Sequence, residues 1–353
     1  MSKHIVFFVA GVGDDAKDWS KPLRAEFKAL FDSYPLPAGG QPFDELFQTE
    51  EIFYNNFFDD WRKRVAADAE KALDLLGAEG MPSDEIRRLL ELGKSAGGGG
   101  FWRTHALDAL QYRYLRLISE PVRATVESQI MSRLALSEFG TPARWSIIGH
   151  SLGTSIAHDT LHEMFAPGTG AKDSELFQPY AVVMLSNVSQ LLHNPRVLGQ
   201  GIDAYSSFVR PNREPQLGAC RFYLSGNNGY DPIALAGNFK PPANWLTPEA
   251  QLQRRLRNLP FKAIPKSRNV HGFSEYLAHP AVHVPLFRIL TGDPDWITDT
   301  QETKAHADYE AANPLPGPQD IKRKAIEELD QRAQQAGLAE FIAILKEALE
   351  RFS

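Results

Sequence analysis

The stretch Trp145-Ser-Ile-Ile-Gly-His-Ser-Leu-Gly-Thr154 constrains the fold more than any other part of the chain. An apolar run leads into Gly149-His150-Ser151-Leu152-Gly153, and a helix-compatible run, Thr154 to Phe165, follows. A G-x-S-x-G between a strand and a helix predicts a sharp turn with the serine at its tip in a strained conformation. Glycine stands at both ends because a Cβ there would collide with the neighbouring strand or helix. The helix N-terminus then points backbone N–H groups at the place where an oxyanion would form. A bare G-x-S-x-G arises by chance in roughly one chain of this length in ten. The strand and helix around it cut that figure by at least about tenfold. The plain alternative is a serine that caps a helix after a glycine turn, so partner residues must decide.

The rest of the chain supplies the setting for that turn. Ile5 to Ala10 reads as a buried parallel strand ending in the loop Gly11-Val-Gly-Asp-Asp15. Ala181 to Leu185 and Ala219 to Leu224 read as further strands, and Leu46 to Tyr54 is strand-like. Helices are predicted over Leu23 to Tyr34, Trp61 to Leu76, Pro82 to Leu92, Thr104 to Ser137 and His283 to Leu290. Asn238 to Pro265 reads as a loop with a short helix near Glu249 to Leu256, and Thr291 to Gly317 as polar and irregular. Ile321 to Phe352 is helical in pattern, interrupted near Gly337. Strands alternating with helices imply an α/β fold: a mostly parallel sheet with helices on both faces. The expected organisation is one domain over residues 1–300, with a helical insert at about 55–103, and a C-terminal helical extension over 318–353.

Composition excludes several classes. A net charge of −6 with both signs interspersed leaves no nucleic-acid footprint. No segment approaches the roughly 18 consecutive apolar residues of a membrane span. The N-terminal apolar run is too short for a secretory signal and lacks a small-residue cleavage site. The lone Cys220 cannot form an intramolecular disulfide and reads as a buried small hydrophobe, which fits a cytoplasmic location.

A serine hydroxyl needs a base within hydrogen-bond reach, and the base needs a third group to orient it. Asp231, in Gly226-Asn-Asn-Gly-Tyr-Asp-Pro-Ile233 just past a strand, suits the orienting role; its bland reading is an Asp-Pro turn. For the base the candidates are His271, His279 and His283. His271, in a loop before a helix-like segment, is preferred, with His279 in reserve; His283 falls in a helix, where packing is the expected role. His150 is expected to pack or to support from behind, and His105, His158, His162 and His193 read as ordinary histidines. No histidine pair has metal-ligand spacing with an acidic partner, so neither metal nor cofactor is expected. An oxyanion would be met by the N–H of Leu152 and by Val12 in the glycine loop, with Gly11 close behind and touching substrate.

With these residues together, the chain resembles α/β-hydrolases of the lipase/esterase kind. The likeness is strongest in Ile147-Ile-Gly-His-Ser-Leu-Gly-Thr-Ser-Ile-Ala-His-Asp-Thr-Leu161, which resembles the turn and helix of DDHD-type intracellular phospholipases and their bacterial relatives. Leu107-Asp-Ala-Leu-Gln-Tyr112 is similar to a segment upstream of that turn, and His271 with Tyr276, Pro280 and Val282 to the end of the same group. Val9-Ala-Gly-Val-Gly-Asp-Asp15 resembles a lipase His-Gly loop but carries Ala10 where histidine is common; the histidine and aspartate pattern that names the DDHD type is not found. The resemblance implies an α/β-hydrolase fold and carboxylic ester hydrolysis through an acyl-enzyme on Ser151.

Substrate choice is expected to lie in the inserts. Phe53, Phe57, Phe58, Trp61, Phe101 and Trp102 either line an acyl pocket or face a lipid surface, with Gly97 to Gly100 as hinge, or pack the core of extra helices. Phe101 and Trp102 are assigned to substrate. The expected partners are a small-molecule or lipid ester and no nucleic acid, with peripheral lipid contact and pairing of two copies through the C-terminal helices as further options. The rival readings are a catalytically silent binding module of the same fold, and a thioesterase or acyltransferase using the same three residues.

Overall fold

The computed structural model describes residues 3–11, 17–58, 60, 112, 116–135, 144–166, 177–190, 208–214, 216–231, 233–234, 239–245, 248, 255–267 and 269–313. Their elements run β1 (His4–Val9), α1 (Lys21–Asp32), α2 (Phe43–Leu46), β2 (Phe47–Ile52), α3 (Arg116–Ala135), β3 (Trp145–His150), α4 (Leu152–Phe165), β4 (Ala181–Leu185), β5 (Phe222–Asn228), β6 (Leu256–Phe261), α5 (Phe273–Ala278), α6 (Pro280–Thr291) and α7 (Asp299–Ala312). The six strands form one parallel sheet in the order β2-β1-β3-β4-β5-β6. The predicted α/β class holds to this level.

Alternation along each buried strand feeds two apolar layers. Phe7, Val9 and Ile147 face one side, where Val122, Val126 and Ile130 of α3 and Ile156 and Leu161 of α4 cover them. Val6, Phe8, Ile148 and Val183 face the other, under Phe27 and Phe31 of α1 and Leu286 and Phe287 of α6. Burial on both faces explains why these strands read as unbroken apolar runs. Leu23, Phe27 and Phe31 recur every four residues, which puts them on one stripe of α1.

The strand order reverses at the centre. From β1 the chain steps outward to β2, then crosses back so that β3 pairs with β1, Val9 opposite Gly149. Such a switch point leaves a crevice beyond the carboxyl ends of the two strands. Gly11 follows β1 and Ser151 follows β3, so topology alone delivers both to that crevice.

Three expectations need correcting. The loop expected over Asn238 to Pro265 contains β6, and Leu256, expected to end a helix, begins that strand. β6 is an edge strand with Pro260 paired to Asn227, half-exposed and lacking an apolar run, so no pattern announced it. Thr291 to Gly317 is not wholly irregular, because α7 occupies Asp299–Ala312. That helix buries no residue and has no apolar stripe; its signal was the capping box of Thr298 with Gln301. The strand expected at Ala219 to Leu224 sits later, at Phe222–Asn228. Phe58 is a fully buried core residue and Phe57 packs against the same layer. Cys220 is free and buried. Trp61, Phe101, Trp102, Gly97 to Gly100, most of the expected insert and the C-terminal extension lie outside the described residues. Among the described residues no helix is long and apolar enough to cross a membrane.

Candidate active site

Ser151 stands between β3 and α4 with φ 55° and ψ −130°, backbone that side-chain-bearing residues rarely adopt. Such a conformation costs about 1–3 kcal/mol and persists only where the surroundings impose it. Here they do. The Ser151 N–H donates to Leu185 O at 3.0 Å, carrying the β3–β4 ladder one residue past the strand. The Ser151 carbonyl accepts from Thr154 N at 2.9 Å and Thr154 Oγ1 at 2.7 Å, which fixes the first turn of α4. Gly153 lies so close to β1 that a Cβ would overlap the carbonyl oxygens of Val9 and Ala10. On the other flank, a Cβ on Gly11 would come within 3.0 Å of Ser151 Cβ and 3.3 Å of its Oγ. Gly11, two residues after β1, therefore lies directly beside the serine. Tyr54 secures the end of β1 next to Gly11 by donating its hydroxyl to Ala10 O.

Ser151 Oγ is 3.0 Å from His271 Nε2, and His271 Nδ1 is 2.8 Å from Asp231 Oδ2. All three residues are buried, Asp231 completely. A carboxylate accepts only, so the network assigns the proton of the neutral ring to Nδ1 and leaves Nε2 to accept from the serine. Asp231 is set by a turn after β5: its N–H donates to Asn228 O at 2.9 Å. The Asn228 side chain in turn bonds both N–H and C=O of Ala263, past the end of β6. Asp231 Oδ1 accepts from Ile233 N at 2.9 Å. Oδ2 accepts from His271 and also from Ser186 Oγ and Tyr276 OH, each at 2.7 Å. Burial alone would raise the Asp231 pKa; the neighbouring His271 ring and the bonds from His271, Tyr276 and Ser186 outweigh it and hold it below the usual carboxylate value. Burial and the adjacent carboxylate drive the Tyr276 hydroxyl well above its ordinary value, so it stays a donor.

His150 packs behind this set. Its ring lies 4.7 Å from that of His271 and stacks on Phe273 at 4.9 Å, and Phe273 stacks in turn on Trp19. His279 is elsewhere. It caps α6, accepting from Ala281 N through Nδ1 at 3.2 Å, and its ring stacks on Phe261 at 4.2 Å. Burial, then His306 and His283, push its pKa down to about 4. The structure therefore brings His271, and not His279, to Ser151. His283 packs on α6, as the helix position predicted, with Nε2 2.7 Å from Tyr34 OH and Nδ1 3.0 Å from Leu277 O.

Leu152 opens α4, so its N–H lies in the first turn, where helices leave donors without intrahelical partners. Val12, Phe101 and Trp102 lie outside the described residues; Gly11 is placed against the serine. Ser186 and Tyr276 were missed as functional contacts. The signal for Ser186 was its position, first after the apolar run Ala181–Leu185, hence on the same rim as Ser151. Among the described residues no group of three or more His, Cys, Asp or Glu side chains could hold a metal ion. Comparison of the chain with models of protein families, with curated proteins and with solved structures finds no match.

Proposed function

We propose that the chain is a serine hydrolase with an α/β-hydrolase fold. More narrowly, it is a lipase/esterase-like enzyme that cleaves carboxylic esters through an acyl-enzyme on Ser151. The observation that carries this reading is the unbroken line Ser151 Oγ, His271 Nε2, His271 Nδ1, Asp231 Oδ2, at 3.0 and 2.8 Å. Its chain order, Ser then Asp then His, is that of the α/β-hydrolases. The parallel sheet and the strained serine between strand and helix support the same assignment.

In the proposed reaction Ser151 Oγ attacks the ester carbonyl carbon as its proton passes to His271 Nε2. Asp231 stabilises the imidazolium and holds the ring in register. The carbonyl oxygen becomes an oxyanion, received by the Leu152 N–H and by the glycine loop at Gly11 and Val12, a contribution of roughly 3–4 kcal/mol per donor. Collapse expels the alkoxide, which takes the Nε2 proton and leaves as alcohol. Water then attacks the acyl-enzyme, His271 accepting its proton and returning it to Ser151 as the acid departs. A cytoplasmic location and an ester substrate taken up without nucleic-acid partners belong to the same proposal.

A fluorophosphonate probe tests it. The wild-type chain is expected to be labelled on Ser151 and to hydrolyse aryl esters in a panel from two to sixteen carbons, and Ser151→Ala to lose both by about ten-thousand-fold or more while staying folded. A folded Ser151→Ala protein with full activity would sink the assignment. Acyl thioesters and added alcohols in the same panel distinguish hydrolysis of esters from thioesterase or acyltransferase activity.

A further inference from the structure

Two serines of this chain share an uncommon backbone. Ser151 follows β3 with φ 55°, and Ser186 follows the adjacent strand β4 with φ 48°. Each N–H bonds the neighbouring strand past its end: Ser151 N to Leu185 O at 3.0 Å, Ser186 N to Gly226 O at 2.9 Å. Each hydroxyl meets one nitrogen of the same ring. Ser151 Oγ lies 3.0 Å from His271 Nε2, and Ser186 Oγ lies 3.2 Å from His271 Nδ1. Ser186 is completely buried and donates its proton to Asp231 Oδ2 at 2.7 Å. Its oxygen therefore faces the Nδ1–H and takes the weaker share of a forked bond whose main acceptor is Asp231. Tyr276 OH donates to the same Oδ2 at 2.7 Å, and is itself aimed by the Asn228 N–H at 3.1 Å.

We propose that Ser186 is a positioning residue, acting with Tyr276 to lock the Asp231 carboxylate and the His271 ring in the one alignment that serves Ser151. The inference rests on the hydrolase reading for its catalytic consequence, but the alignment itself does not depend on any substrate. A buried carboxylate with one donor on Oδ2 is free to rock about its Cβ–Cγ bond. Three donors converging on one oxygen, with Ile233 N holding the other, remove that freedom. The strained φ of Ser186 carries the same message, since glycine or asparagine would relieve it while giving up the hydroxyl at this place.

The test uses Ser186→Ala, Ser186→Gly and Tyr276→Phe in the full chain. Glycine suits φ 48° and keeps the fold, and phenylalanine keeps the ring packed 5.4 Å from Phe261. The first readout is the far-low-field proton resonance of the Nδ1–H between His271 and Asp231, followed with rising temperature. It is expected to broaden into water exchange in all three variants at temperatures where the wild type retains it. The second is the fluorophosphonate labelling rate and ester turnover, where kcat is expected to fall about ten- to a hundredfold with KM within about twofold. An unchanged resonance and unchanged labelling in both Ser186 variants would overturn the inference. So would a Ser186→Gly protein that regains the wild-type rate while Ser186→Ala does not, because the backbone would then matter and the hydroxyl would not. A wild-type chain that is never labelled would defeat the hydrolase reading alone, and the resonance would still decide the role of Ser186.

Discussion

His271 and His283 are both buried and both flanked by aromatic rings, yet their surroundings ask opposite things of an imidazole. His271 lies against a completely buried carboxylate, which this ring and then the hydroxyls of Tyr276 and Ser186 hold below its usual pKa against the effect of burial. His283 lies between a tyrosine hydroxyl and a backbone carbonyl, and His279, one turn earlier, between the rings of Phe261 and Tyr309. Among the described residues no carboxylate bonds either ring, and burial, as the largest influence, pushes both down to about 4. The difference lies in the partner rather than in depth. A negative charge fixed beside a buried imidazole favours its protonated form. The α6 pair is built to stay neutral, whereas the ring beside Ser151 has a buried carboxylate fixed against its Nδ1.

Paired substitutions break this contrast most directly. His271→Ala is expected to lower ester hydrolysis by about ten-thousand-fold or more. His279→Ala is expected to leave kcat within about twofold and to show instead as a loss of stability, on the order of 1–2 kcal/mol, from the lost stack and cap. Steady-state kinetics on the two variants checks both, and equal losses would erase the distinction.

Acid stability sharpens the other half of the comparison. A histidine whose folded pKa lies near 4, against about 6.5 unfolded, favours the native state above about 6.5. That advantage drains away as pH falls from about 6.5 towards 4, because the unfolded chain takes up the proton first. For His283 alone the loss between pH 7 and 4.5 is about 2 kcal/mol. Urea midpoints across that range are expected to fall, and His283→Gln, which can still donate to Leu277 O and accept from Tyr34, is expected to flatten the fall. A slope unchanged by the substitution would show that other groups govern it. The smallest expected effect lies outside the site: Thr298→Ala removes the capping box of α7, costing about 1 kcal/mol and leaving ester turnover unaltered.

Ser151, Asp231 and His271, which the fold brings together, were the most legible residues in the sequence. The turn at Ser151 announces itself because strand, glycines and helix are all local, and β1, β3 and β4 were recognisable from apolar runs. Asp231 and His271 could be chosen because each sits on a loop at the sheet's rim in the expected order. What stayed hidden shares a physical cause. The last residues of β5 are Ser225, Gly226, Asn227 and Asn228, polar because they approach the site, and they made the strand seem to end early. β6 carries a proline that an edge tolerates, and α7 buries nothing, so neither displays a periodic apolar face. Ser186 and Tyr276 each bond a residue 45 positions away, and that pairing is encoded by no local pattern.

The central pairing of β1 with β3 has a consequence in time. Ile5 must find Trp145, and Ser151 must find a histidine 120 residues further on, before the three side chains line up. Parallel strands joined by long crossovers form slowly, because loop closure precedes any gain from contact. In the proposed enzyme, covalent labelling of Ser151 during refolding is therefore expected to switch on late, as a clock for the last long-range step rather than for the first helices.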